Sequence, residues 1–447
     1  MQALSMLDNV ALNNSVLEPE PQKWGSGTSM SEKLLQFIWQ FQYFNKTHLS
    51  TAAGEKLELI HPGKLNSNQG PDFTDARIKI GNTIFAGSVE LHLKTSQWYM
   101  HGHQSDANYK NVILHVVYEN DKVENHLPLL VLEPLISNIL LNRYTGLMNS
   151  PSFIPCASSI AEVKELIWMS WKERLLAERL TRKSKIVEQF LEKNNYHWEE
   201  TFWWMLARNF GMKVNAEAFE AMAHSLSVNL LAKHKSQIHQ LEALLFGQAG
   251  LLNEDFKEDY PAMLKKEYNF LKKKYALQPV AVPVHFLRMR PTNFPSVRLA
   301  QLAMLIQNSA HLFSKILGTE KVSEIRSLFN VTANDYWHYH YRFDEISEFR
   351  KKNLGEVMIN NIIINTIVPL VFAYGIYHNE VKYKDKALKW LEEVTAESNS
   401  ITKGFIQLNI ANKTAYDSQA LIELKNEYCF HKRCLECSVG NAVLKNT

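Results

Sequence analysis

The spacing of apolar and polar positions changes three times along the chain, from none, to helical, to alternation, and back to helical periodicity. Residues 1–29 surround a Gly-Ser-Gly step without periodicity and are expected to form a flexible tail. From Ser31 to Phe44, the residues Leu34, Leu35, Ile38, Trp39 and Phe41 recur at helical spacing behind a Ser31 cap, predicting an amphipathic helix. Strands are predicted at 56–61, closed by Pro62-Gly63, then at 73–80 and 84–94 around Gly81-Asn82-Thr83, at 112–118 and at 127–132. A polar loop is expected over 64–70. Past Pro134 the strand signals stop, and helices are predicted over 161–191, 198–210, 216–245, 260–275, 296–317, 321–329, 346–377 and 384–397. No fixed repeat supports a solenoid. The expected fold class is α+β, with a small α/β domain at 30–135 and a large all-α domain at 136–447.

Composition narrows the class. Of 447 residues, 46% are hydrophobic and 21% charged, which excludes a disordered chain. A net charge of +3 does not argue for nucleic acid, so any basic surface must be local. Four cysteines exclude a disulfide framework and suit a reducing compartment. With no secretion-like leader, the expected location is the cytoplasm. Val357 to Tyr377 carries no charge and is long enough to span a bilayer, but Asn360, Asn361, Asn365 and Pro369 are costly in hydrocarbon. A buried helix kinked at Pro369, and no membrane, is the expectation.

Candidate chemistry concentrates between Asn68 and Asp121. Alternation in the strand at 84–94 sends Val89, Leu91 and Leu93 to one face and Glu90, His92 and Lys94 to the other. Such a face is either an active-site face or a solvated one. Asp72 decides between these. A two-residue turn at Gly81-Asn82 sets Asp72 opposite Leu91, on the wrong face. A three-residue loop, or a bulge at Gly87, brings it beside His92 and Glu90. Converging carboxylates need a cation, and Mg²⁺ or Mn²⁺ held by Asp72 and Glu90 would activate water, with His92 or Lys94 assisting.

His101, His103 and Asp106 follow at once, as a zinc- or iron-binding set, as residues lining the same cleft, or as a plain loop cluster. His115 reads equally as a satisfied core histidine or a ligand. Near the C-terminus, Cys429-x-His431-x2-Cys434-x2-Cys437 has zinc-ligand spacing, with Cys156 an alternative fourth ligand. Phosphate contacts are expected from Arg288, Arg290 and Arg298. A second basic stretch holds Lys172, Arg174, Arg179, Arg182, Lys183 and Lys185, and the aromatic run Tyr336 to Tyr341 either stacks bases or packs a core.

The strand order, with Pro71-Asp72 and Glu90 seventeen residues beyond Phe73, resembles the PD-(D/E)XK nuclease superfamily. The resemblance implies Asp72 and Glu90 as the acidic pair, with His92 where lysine is usual and Lys94 one pleat further. Some of these nucleases also carry an iron–sulfur cluster, a second assignment for the cysteines. More closely, the chain from Met30 is similar to an uncharacterised bacterial family, domain of unknown function family 2851. The similar runs are LLQFIWQFQYFN, NQGPDFTDARIKI, AGSVELHLKTSQW, HGHQSDANYKNVILHVVYEND, RMRPTNFPSVRLAQLA and CFHKRCLECSVGNAVL. This resemblance implies the architecture and a natural start at Met30. Three functions are therefore expected alternatives: a metal-dependent nuclease; a non-catalytic nucleic-acid or protein-binding module with a structural metal; a His/Asp metallohydrolase of a small substrate.

Overall fold

Ser31 starts the first helix as its spacing predicts. Its Oγ accepts the Leu34 N–H at 3.2 Å, and helix α1 runs Glu32–Gln40 with Leu34, Leu35, Phe37, Ile38 and Trp39 buried. It stops short of Phe44 because Gln42 adopts a left-handed φ of 55°. A computed structural model describes residues 30–66, 68–121, 126–287, 289–309 and 311–445. The tail expected at 1–29 lies outside the described residues.

Behind α1 is a mixed sheet of β1 (Leu57–His61), β2 (Lys64–Leu65), β3 (Phe73–Ile80), β4 (Thr83–Lys94), β5 (Val112–Glu119) and β6 (Leu129–Val131). The order is β1-β3-β4-β5-β6, with β2 pairing on β3. β1, β3 and β4 form an antiparallel meander; β4–β5 and β5–β6 are parallel. β2 falls in the stretch expected to be a polar loop. A parallel pair needs a crossover, and residues 95–111 supply it through helix α2 (Gln97–Met100) and two short 3₁₀ turns. With α1 packed on β4, both faces of the strand are covered: every residue from Gly87 to His92 is buried. The polar face of β4 is therefore interior, not solvated.

The β3–β4 register is where the site is decided. Ile80 pairs with Thr83, so the turn is the two-residue one, around Gly81 at φ 55°. Strict pairing holds to Ala76↔Gly87 and then shifts, with Phe73 opposite Val89. The extra residue lies in β3, where Asp75 has φ 59°. The bulge is thus on the strand facing Gly87. Gly87 itself is required by β5, because a Cβ there would meet the Asn111 carbonyl at 2.5 Å and Ile113 at 2.6 Å.

By contacts the chain forms two units, and their boundary is not the expected 135/136. The first unit continues to Trp168 and takes back the chain from Asn426 onward. Within it, helix Ser438–Lys445 packs on helix Asn138–Asn149, and Tyr43 Oη donates to Asn441 Oδ1 at 2.7 Å.

The second unit, Met169–Lys425, is helical around one large apolar core in which Phe246 stacks on Trp337. The single helix expected at 216–245 is three, Met212–Ser225, Val228–His234 and Ile238–Gln248, because Ser227 starts a new one by capping Leu230. A small hairpin, His340–Arg342 with Glu345–Ile346, interrupts the helical reading of 346–355. Glu356–Tyr377 is long and apolar enough to cross a membrane by length and composition, and 72% of its apolar window is buried. Its π-turn at Ile363–Ile367 lies just before Pro369, which removes a backbone donor there. Its amides are satisfied within the unit: Asn360 by Arg326 and Thr395, Asn365 by Lys183.

Candidate metal centre

The bulge at Asp75 places Asp72 across from Glu90. The Asp72 N–H donates to Glu90 Oε2 at 3.0 Å, and the Leu91 N–H donates back to Asp72 Oδ2 at 3.0 Å. Gln36 of α1 completes the cradle, its Nε2 donating to Asp72 Oδ1 at 2.8 Å. Asp72 thus has a donor on each oxygen. Glu90 has a backbone donor on one, while its Oε1 faces His92 Nε2 at 3.5 Å and His103 Nε2 at 3.4 Å.

The histidines cluster around His92 and His103, which face that oxygen. His92 is fully buried on β4. Its Nδ1 meets Nε2 of His115, on β5, at 2.8 Å, and its Nε2 lies 3.2 Å from His101 Nδ1. His101 ends α2, and Gly102, at φ 75°, reverses the chain so that His103 returns to the same point. Trp98 and Tyr109 wall the cluster; Tyr109 stacks on His103 at 3.8 Å. Among the described residues, the donor set whose atoms all lie within 4.8 Å of one another is His92, His101 and His103. His103 Nε2 is buried without a hydrogen-bond partner.

Burial sets the charge state of this interior. It raises Asp72 to about 6, against the pull of the Leu91 and Gln36 bonds. Burial, and then Asp72, raises Glu90 to about 9. Burial lowers His92 to about 2, with His115, His101 and His103 adding to it, and lowers His115 to about 4. Burial also lowers His103. Burial thus favours the neutral forms of His92, His103 and His115, the form of imidazole that ligates metal, and an ionised Glu90 calls for a cation.

Not every expected residue joins. Lys94 ends β4 half-buried, its N–H held by Gln97 Oε1 at 2.8 Å. Asp106 is a turn cap that accepts the Asn108 N–H at 2.9 Å; its charge acts on His103, but the carboxylate within 3.5 Å of His92 and His103 is Glu90. Cys434, Cys437 and Cys156 are buried, whereas His431 is exposed. Burial first, then Cys437, pushes the Cys156 thiol up to about 12; burial, Cys156 and Cys437 do the same to Cys434. These residues and Cys429 stand outside the close donor set.

The expected phosphate contacts need correction too. Arg298 is buried, its guanidinium on Gln301 and Asn293, which removes it from any surface. Arg290 is exposed, and Arg288 lies outside the described residues. In the other basic stretch Lys172 is bound to Asp417, and Arg179, Arg182 and Lys183 to Glu423 and Gln419. The aromatic run packs a core: Trp337 is buried and Tyr336 stacks on His340 and Tyr260.

Sequence reasoning missed Gln36, a polar residue between the buried Leu35 and Phe37 of α1, which was its signal. It also missed Glu32, one turn earlier, whose charge helps to raise Glu90.

A family profile described as "Protein of unknown function (DUF2851)" matches residues 32–400, and the chain belongs to that family. No curated protein and no solved structure matches it.

Proposed function

We propose that this member of the DUF2851 family is a divalent-metal-dependent phosphodiester hydrolase acting on DNA or RNA. One observation carries the reading: the β3 bulge sets Asp72 against Glu90, in an interior where the imidazoles of His92 and His103 face the Glu90 carboxylate. The meander β1-β3-β4 followed by a parallel β5 also agrees with the resemblance that motivates a nuclease. Glu90, with imidazole donors beside it, would hold the cation, and His92 and His103 are the nearest of these. A bound divalent cation supplies Lewis-acid polarisation of a phosphoryl oxygen and an acidified water.

The chain's own residues supply the rest. Gln36 and the Leu91 N–H stabilise the ionised form of Asp72, leaving it fit to orient or deprotonate a water. His115 fixes the ring of His92. Burial excludes bulk water and strengthens each of these interactions.

Purified protein incubated with labelled single- and double-stranded DNA and RNA, across Mg²⁺, Mn²⁺ and Zn²⁺, tests the reading. Cleavage lost by at least a hundredfold in Asp72→Asn and in Glu90→Gln is the expected result. No cleavage with any metal or substrate, by protein whose metal content is verified, sinks it.

A further inference from the structure

The arrangement of Glu90 and the three histidines identifies its cation more narrowly than the carboxylates do. A hard ion such as Mg²⁺ takes oxygen ligands and keeps several waters. Three imidazoles with one carboxylate are the donor set of a borderline first-row cation.

The separations agree with one small ion. Ligands about 2.1 Å from a tetrahedral centre lie roughly 3.4 Å from one another. Three separations here are of that size: 3.2 Å between His92 Nε2 and His101 Nδ1, 3.5 Å between Glu90 Oε1 and His92 Nε2, and 3.4 Å between Glu90 Oε1 and His103 Nε2; the donors of the three histidines all lie within 4.8 Å of one another. Hydrogen bonds can join His115, His92 and His101, but they leave out His103. His103 Nε2 is sealed from solvent without a hydrogen-bond partner, a costly state for a buried ring nitrogen. His92 Nε2 is within 3.5 Å of two groups at once, while its Nδ1 is engaged by His115. An imidazole whose far nitrogen is fixed by a second buried group is the arrangement that orients a metal ligand.

We infer that His92, His101 and His103 form a three-imidazole site for a zinc-class transition cation, with Glu90 Oε1 beside two of the rings and His115 as the residue that orients His92. The Mg²⁺ or Mn²⁺ expected from Asp72 and Glu90 alone is replaced by Zn²⁺. Asp72 lies beside the site, outside the close donor set, with its oxygens accepting from Gln36 and Leu91. The inference rests on the hydrolase reading for the metal's purpose, but metal binding is measured without substrate, so the two fail separately.

The test uses the full-length protein. Elemental analysis as purified, and titration of chelator-treated protein with Co²⁺ and Mg²⁺, should give one equivalent of Zn²⁺ or Co²⁺. Cobalt should show tetrahedral visible absorption, and Mg²⁺ should bind at least a hundredfold more weakly. His101 is exposed, so His101→Ala should fold normally and lose at least tenfold in Co²⁺ affinity with its visible bands altered. Asp72→Asn should keep metal and bands. Two outcomes overturn the inference: folded protein that binds neither Zn²⁺ nor Co²⁺, or bound metal that is unchanged in His101→Ala and His103→Ala yet lost in Cys434→Ser with Cys437→Ser. Bound metal without any cleavage would sink the hydrolase reading and leave this one standing.

Discussion

His92 and His115 sit two positions apart in register on two parallel strands, His115 being paired with Glu90, and their rings meet at 2.8 Å with both residues fully buried. A neutral imidazole has one donor and one acceptor nitrogen, so His115 selects which nitrogen of His92 remains to face Glu90 and His101. Replacing His115 by Phe keeps a ring in the core but removes that selection. The expected result is a loss of about 1–3 kcal/mol from the unpaired His92 nitrogen and a roughly 10–100-fold loss of Co²⁺ affinity. His115→Gln, which can still bond to His92, should recover part of the affinity. Urea titration and cobalt absorption check the two effects. Unchanged cobalt affinity in His115→Phe would show that the contact is packing alone.

Two opposed pH slopes are expected in metal-free protein. His92 and His115 have folded pKa values pulled below the unfolded value, chiefly by burial. The unfolded chain therefore takes up their protons first, and stability falls as pH drops below about 6.5. Glu90 is shifted up by burial and by Asp72. Its unfolded form ionises from about pH 4.5 while the folded form resists, so this contribution is lost as pH rises towards about 9. Zn²⁺ should abolish the alkaline loss, because it takes the ionised carboxylate. Denaturation midpoints at about pH 5, 7 and 9, with and without Zn²⁺, measure both limbs. In Glu90→Gln the alkaline limb should flatten; a limb as steep as in the parent would assign the effect to other groups.

Glu423 anchors the second unit's buried ionic network. It is 2% exposed and accepts from Arg179 Nη1 at 3.0 Å and Arg182 Nη2 at 2.6 Å. Removing one partner of a buried pair leaves the other uncompensated, so Glu423→Ala should cost about 3–5 kcal/mol. Exchange of the exposed partner pair Arg174 and Glu178 should cost at most about 1 kcal/mol. Thermal unfolding compares the two. Equal effects would contradict a buried network.

Much of this was legible wherever local spacing decides. The helix Trp198–Phe210 has the predicted bounds, and the apolar side of β4 is the predicted one. The polar side was ambiguous, because a solvated face and a parallel strand buried on both faces share the same alternation until the neighbour is known. The return of Asn426 onward to the first unit rests on long-range contacts such as Tyr43 to Asn441, which no local period records. The histidines were visible as residues, but not as one centre with Glu90. That needed the reversal at Gly102 and the parallel placement of His115. The bulge was hidden for a different reason: Asp75 reads as an ordinary polar strand position, although aspartate is among the side chains that tolerate left-handed backbone.

That residue gives the sharpest test of how the site is built. Without a bulge, the two-residue turn would carry strict pairing down β3 and leave Asp72 opposite Leu91, on the wrong face of β4. Asp75 at φ 59° absorbs the extra residue, and its exposed ion pair with Lys64 adds little. Asp75→Gly should therefore be neutral or slightly stabilising, with cleavage retained. Asp75→Val forces a β-branched residue into left-handed backbone at a cost of about 1–2 kcal/mol. If the strand escapes by adopting strict register, cleavage should drop at least tenfold. Cobalt binding should persist, because Glu90, His92, His101 and His103 are all carried by β4 and the segment after it. Deleting Asp75 removes the bulge and the extra residue together, keeps Asp72 opposite Glu90, and should preserve cleavage. Loss of cleavage in the deletion with retention in Asp75→Val would reverse this account of the register.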